Sequence, residues 1–189
     1  EWAYFDVSRI HFSADINTVI EQSDILVLAV PSPYLKQSLN DITVDMSQKM
    51  VISAVKGMIP DENLLVTEYM HQYFNVPKEN LGVIAGPCHA EEIALERLSY
   101  LTVGCKDMKK AIEWSKLFDT PYVRTTPSND VEGLEYASVM KNIYAIAAGI
   151  CSGLKYGDNF QAVLIANAVQ EMNRLLNTVH PVERSIDDS

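Results

Sequence analysis

The stretch from Ser128 to Gly149, SNDVEGLEYASVMKNIYAIAAG, constrains the fold most, because it sets a lysine and an asparagine inside a run that is otherwise almost wholly apolar. Ser128, Asn129 and Asp130 cluster as N-cap candidates, and no proline interrupts a helical run from Val131 to about Gly149 or Gly153. From Ile143 to Cys151 every residue is apolar, aromatic or small, which leaves no face for water and predicts burial on all sides. Lys141 would then sit where solvent is scarce. Burial lowers a lysine's pKa towards the range useful for proton transfer. The structural alternative is a snorkelling lysine, with its stem along the helix and its ammonium at a domain edge. Glu135 and Asn142 are seven residues apart, about two turns, and share a face that Lys141 adjoins.

Upstream, the pattern changes to short apolar runs. Ser23 to Ser32, SDILVLAVPS, reads as a strand buried on both faces of a parallel sheet, with a short helix from about Pro33 to Leu39 after it. Met50 to Gly57, Leu81 to Pro87, Tyr100 to Cys105 and Pro121 to Thr126 are further strand candidates, while Leu64 to Phe74 and Met108 to Phe118 are helical. Such alternation predicts βαβ units around a mostly parallel sheet, whose ligands bind beyond the C-terminal ends of the strands. Just past those ends stand Pro31, Ser32 and Tyr34, then Lys56 and Gly57, then Gly86, Pro87, Cys88, His89 and Ala90. Gly57 and Gly86 would let backbone approach a ligand closely, although strand-end glycines more often serve only the turn, and His89 equally well starts a helix. After Thr126 the strand pattern stops. A second helix, about Asn159 to Val179, carries Phe160, Val163, Leu164, Met172, Leu175, Leu176 and Val179 at core spacing, with Asp158 or Asn159 as its cap and Pro181 beyond its end.

Composition narrows the classes. With 189 residues, 48% hydrophobic and 21% charged, the chain can bury a real core and reads neither as disordered nor as fibrous. A net charge of −10 argues against nucleic-acid or acidic-membrane binding, yet one or two lysines still make a local phosphate site. Cys88, Cys105 and Cys151 are odd in number and widely spaced, with no C-x-x-C pair and no histidine at metal-ligand intervals, so a reduced, cytoplasmic chain without a metal is expected. No apolar run has the length of a membrane span, and Glu1 to Ile10 has no signal-peptide pattern.

The residues Ser128, Asp130, Gly133, Glu135, Lys141, Asn142, Ala145, Ile146, Ala147, Gly149, Gly153, Leu154, Gly157 and Asn159 resemble, at fixed spacing, the catalytic helix of the bacterial-type NAD(P)-dependent glycerol-3-phosphate dehydrogenases. Val30-Pro31-Ser32, Ser53 with Lys56-Gly57, and Gly86-Pro87-Cys88-His89-Ala90-Glu91 resemble that family's three strand-end loops. The resemblance covers essentially the whole chain. It implies an α/β fold in which residues 1–127 are the later part of a Rossmann-like parallel sheet domain and 128–189 begin an all-helical substrate domain. It further implies an oxidoreductase that interconverts sn-glycerol 3-phosphate and dihydroxyacetone phosphate with NAD or NADP, supplying phospholipid synthesis. On that basis Lys141 is the catalytic acid/base, and Lys56, Gly86, Cys88 and Asn142 bind the small phosphorylated substrate. Tyr34, Lys56 and Ala90 meet the coenzyme. Cys88 departs from the family, whose bacterial members usually carry serine there, and a thiol is the weaker hydrogen-bonding group.

Two motifs are missing. No G-x-G-x-x-G occurs, so the phosphate-cradling first unit of a dinucleotide fold would precede Glu1, and the family's later aspartate and arginine would follow Ser189. The residues that discriminate NAD from NADP are absent with the first unit. A homodimer is one open assembly. Two rivals stand: another lysine-dependent reductase with a helical second domain, of hydroxyacid or ketopantoate type, and a coenzyme-independent binding module. The Gly-rich turn supplies the amides that hold a pyrophosphate. Without it this chain alone is expected to be inactive and to bind NADH only weakly in a fluorescence titration; tight binding would mean that the coenzyme site lies elsewhere.

Overall fold

The computed structural model describes residues 6–182. Five strands form one sheet in the order β1 (Ile25–Leu28), β2 (Met50–Ser53), β3 (Leu81–Ala85), β4 (Ser99–Cys105) and β5 (Val123–Ser128). The β1–β2, β2–β3 and β4–β5 pairs are parallel, and β3–β4 is antiparallel, so the sheet is mostly parallel with one reversal. Helices α1 (Ile16–Gln22), α2 (Ser32–Leu39), α3 (Val66–Phe74), α4 (Ala90–Ala94) and α5 (Met108–Phe118) alternate with the strands, and α6 (Val131–Gly153) and α7 (Asp158–Val179) close the chain. Helix α1 was not anticipated, although Asp15 ahead of Ile16, Val19 and Ile20 is a cap followed by helical spacing; Asp15 starts the helix by accepting the Asn17 N–H. Among the described residues no helix is long and apolar enough to cross a membrane.

Strand β3 is buried along its whole length, and its alternating side chains feed both sides of the sheet. On one side Leu81 joins Val66, Tyr69 and Met70 of α3 and Leu35 and Leu39 of α2. Val83 and Ala85 on that side pack with Val131 and Leu134 of α6. On the other side Ile84, Ile52 and Val103 pack with Ala111 and Trp114 of α5. Strand β1 corrects the expectation of burial on both faces: Leu26 is buried but Val27 is 47% exposed, because β1 forms the sheet edge among the described residues.

Local chemistry sets the helix ends. The Asp130 side chain accepts the Gly133 N–H at 3.1 Å, which satisfies one of the free donors of α6's first turn, and Ser128 Oγ accepts the Asp130 N–H at 3.2 Å. At α7 the N-cap is Gly157, with Asp158 one residue inside, so neither Asp158 nor Asn159 caps it.

Two glycines have opposite expected responses to an added methyl group. A Cβ at Gly82 would run into the Trp114 ring and lie 2.7 Å from the Gly104 carbonyl, whereas a Cβ at Gly149 meets nothing within 4 Å. Gly82→Ala should therefore destabilise by about 1–3 kcal/mol through overpacking, and Gly149→Ala should stabilise by up to about 1 kcal/mol through helix propensity. Urea midpoints of the two variants check both signs.

Candidate active site

Because β1, β2 and β3 are parallel, the loops that leave them emerge along one edge of the sheet. After β1, Ser32 opens α2 and Tyr34 stands 61% exposed. After β2, Gly57 takes φ +142°, and a Cβ there would lie 2.5 Å from Ser32 Oγ, so the first two loops touch. After β3, Gly86 takes φ +123°, and its Cβ would lie 2.5 Å from the Tyr100 carbonyl oxygen at the start of β4. The turn itself demands both glycines, and neither needs a ligand to account for it. Beyond Gly86, Cys88 is half-buried, His89 occupies the N-cap position of α4 without a side-chain capping bond, and exposed Ala90 begins the helix.

Lys56 reaches from the second loop to the third, where its ammonium donates to the Ile84 carbonyl at 2.6 Å. Much of the side chain is exposed, but the nitrogen end lies close among protein atoms. Desolvation there lowers the Lys56 pKa, the positive charge of Lys141 lowers it further, and Cys88 opposes both. Lys56 thus feels Lys141 and Cys88, both far from it in the chain.

Helix α6 delivers Lys141 to this edge. Strand β5 ends beside Gly104, near the start of β3, and Val131 and Leu134 then carry α6 along Val83 and Ala85. The ten residues from Val131 to Lys141 advance about 15 Å, comparable to the length of β3. The expected burial of this helix on all sides is corrected by the structure. Lys141 and Asn142 are exposed, as are Ile143, Ile146 and Ile150, with Ile146 at 66%. Beyond Ser138 no α6 residue is fully buried, and α7 is the element that packs along the helix there. Scarce solvent therefore gives no support to a catalytic Lys141, and the reach of its charge to Lys56 is the structural observation in its favour.

Glu135 has the environment expected for Lys141. It is 5% exposed, its Oε1 accepts the Thr67 N–H at 3.2 Å, and its Oε2 accepts the Thr67 hydroxyl. Burial raises its pKa to about 7, against the two Thr67 bonds, which lower it. Its place in the sequence motif singled it out, but no local pattern shows that its partner lies at the start of α3. Tertiary folding also gathers ligand atoms of Asp130, Glu132 and His180 within 4.8 Å of one another. Asp130 is already α6's cap and Glu132 is paired with Lys106, so these groups form an ion-pair cluster. A cleft of about 20 Å³ between Thr67, Lys78, Lys106 and Glu132 touches none of the expected site residues and is too small for a phosphorylated substrate.

Comparison with known proteins places this geometry. The family model of the NAD-dependent glycerol-3-phosphate dehydrogenase N-terminus matches residues 7–111, and that of the C-terminus matches 130–186. The chain belongs to the NAD-dependent glycerol-3-phosphate dehydrogenase family. It is 32% identical over 170 residues to the glycerol-3-phosphate dehydrogenase (NAD(P)+) of Lysinibacillus sphaericus, covering 89% of this chain and 50% of that protein. It is 34% identical over 167 residues to the Bacillus subtilis enzyme of the same name, covering 86% and 48%. The solved Plasmodium falciparum glycerol-3-phosphate dehydrogenase superposes with a TM-score of 0.81 at 28% identity, over 92% of this chain and 49% of that one. The Dunaliella salina protein gives 0.79 at 26%, over 92% and 30%. The chain spans about half the length of the curated relatives it matches. As in that family, a Rossmann-like sheet portion precedes a helical portion.

The loop contact at Gly57 is testable. Gly57→Ala forces an L-residue to φ +142° and against Ser32 Oγ, so a loss of more than about 1 kcal/mol is expected by urea denaturation. An unchanged midpoint would mean that the loop relaxes freely.

Proposed function

We propose that this chain forms the central part of an enzyme that interconverts sn-glycerol 3-phosphate and dihydroxyacetone phosphate with NAD or NADP. Family membership supports the reaction class. The observation that carries the site is the placement of Lys56, whose ammonium donates to the Ile84 carbonyl near the C-terminal end of parallel strand β3, where ligands of such sheets bind, within reach of the Lys141 charge. Two ammonium groups in one neighbourhood suit a phosphorylated, anionic substrate and suit poorly a neutral one.

The residues present fit the nicotinamide-facing part of a dinucleotide. Tyr34 offers an exposed aromatic face beside the first loop, Ala90 offers a small residue at the third, and Lys56 stands between them. When bound, the coenzyme exchanges a hydride with the substrate's carbon. Lys141 donates the proton to the carbonyl oxygen in reduction and accepts it from the hydroxyl in oxidation. Lys56 holds the substrate and offsets negative charge that develops on its oxygen, while Asn142, Gly86 and Cys88 orient it. The proposed domain boundary near residues 127 and 128 falls at the last residue of β5 and within the gap between the two family matches. The unpaired cysteines favour a reducing compartment, the cytoplasm.

Two substitutions in the full-length protein separate the lysine roles. Lys141→Met should lower kcat by about 10²–10⁴-fold, or more if the ammonium also stabilises the transition state, with little change in stability at an exposed position. Lys56→Met should raise the substrate KM as well, because its assigned work is mainly binding. Steady-state kinetics with dihydroxyacetone phosphate and each reduced coenzyme measure both. A Lys141→Met variant with wild-type kcat would return this lysine to the snorkelling role.

A further inference from the structure

We infer that Glu135 is the positioning residue that pins α6 to the start of α3 and thereby sets where Lys141 and Asn142 stand. The inference deepens the proposed function and rests on it for the kinetic part. Thr67 is the second residue of α3, so its N–H is one of the helix's unpartnered first-turn donors, at the end that favours negative charge. Glu135 accepts that N–H with one oxygen and the Thr67 hydroxyl with the other, a bidentate contact between residues 68 apart in the chain. Burying a carboxylate is costly, and well-packed apolar side chains often replace buried charged groups without loss, so we assign the contact's value to geometry.

Its location gives it leverage. Val131 and Leu134 hold α6 on the sheet, Ser138 is its last fully buried residue, and Lys141 lies six residues beyond Glu135. That separation is about 9 Å along the axis, so a tilt of roughly 10° about Glu135 would displace Lys141 by about 1.5 Å. A misplacement of about 1 Å costs on the order of 10²-fold in rate.

The charged groups nearby come from several elements. Glu68 of α3 and Glu132 of α6 raise the Glu135 pKa, and Lys78 and Lys106 line the cleft beside Thr67 with them. With a folded pKa near 7 against an ordinary value of 4.5, the native state binds the proton more tightly than the unfolded state does. Stability should therefore fall as pH rises from about 4.5 to about 7 and level off above that. Glutamine reproduces the protonated form, since its carbonyl accepts the Thr67 N–H and its amide donates to the Thr67 oxygen.

The test uses the full-length protein with Glu135→Gln, Glu135→Ala and Thr67→Val. Glu135→Gln should keep kcat within about threefold of wild type and lose the decline of Tm between pH 5 and 7. Glu135→Ala should lose hydrogen-exchange protection at the Thr67 amide and lower kcat by about 10–100-fold with the coenzyme KM unchanged. Thr67→Val keeps the shape and removes one bond, so kcat should fall several-fold, and it decides the matter if Glu135→Ala does not fold. Wild-type kcat in Thr67→Val, or wild-type kcat with retained Thr67 amide protection in a folded Glu135→Ala, would overturn the inference. A wild-type protein without dehydrogenase activity would overturn the proposed reaction instead, while the exchange measurement would still decide whether Glu135 pins the two helices.

Discussion

Strand β4 runs against β3, and this reversal governs where everything after it goes. Since β5 is parallel to β4, it ends beside the start of β3, at the edge opposite the strand-end loops. Helix α6 must therefore travel back along β3, and a helix of its length reaches the loop edge near its middle, where Lys141 stands. A fully parallel sheet would start α6 at the loops and carry Lys141 away from them. The absent side chain at Gly104 lets the helix lie close, because a Cβ there would sit 2.6 Å from Leu134.

Charge is organised locally rather than globally. The chain carries a formal net charge of −10, yet Lys56 and Lys141 feel each other near a strand end. Distant surface charges are screened within about 10 Å at ordinary ionic strength, so neighbours within the site matter more than the sum. The Ile84 carbonyl supplies a partial negative charge to Lys56. An anion beside Lys56 would offset the repulsion that the Lys141 charge exerts on it, which is why the proposed substrate is an anionic one.

The pair α6 and α7 illustrates the difference between a wish for burial and its fulfilment. Ile143, Ile146 and Ile150 on α6 are more than half exposed, as are Val163 and Ile165 on α7. Each such side chain, already partly covered, would gain about 1–2 kcal/mol on full burial. An all-apolar pattern states that preference and says nothing of which neighbour satisfies it.

Much was therefore legible before any coordinates. Alternating apolar runs and helical spacing located all five strands and both long helices to within a few residues, because side-chain periodicity is a local consequence of backbone geometry. Asp130 was among the three cap candidates, because capping acts over three residues. The burial of α6, the exposed edge of β1 and the solvent exposure of Lys141 were not legible, since each depends on what packs alongside. The Glu135–Thr67 contact was hidden for the same reason, and the nearness of Lys56 to Lys141 was implied only by the family resemblance, never by local pattern. They join positions far apart in the chain, and only the sheet order, with its one antiparallel pair, decides that those positions become neighbours.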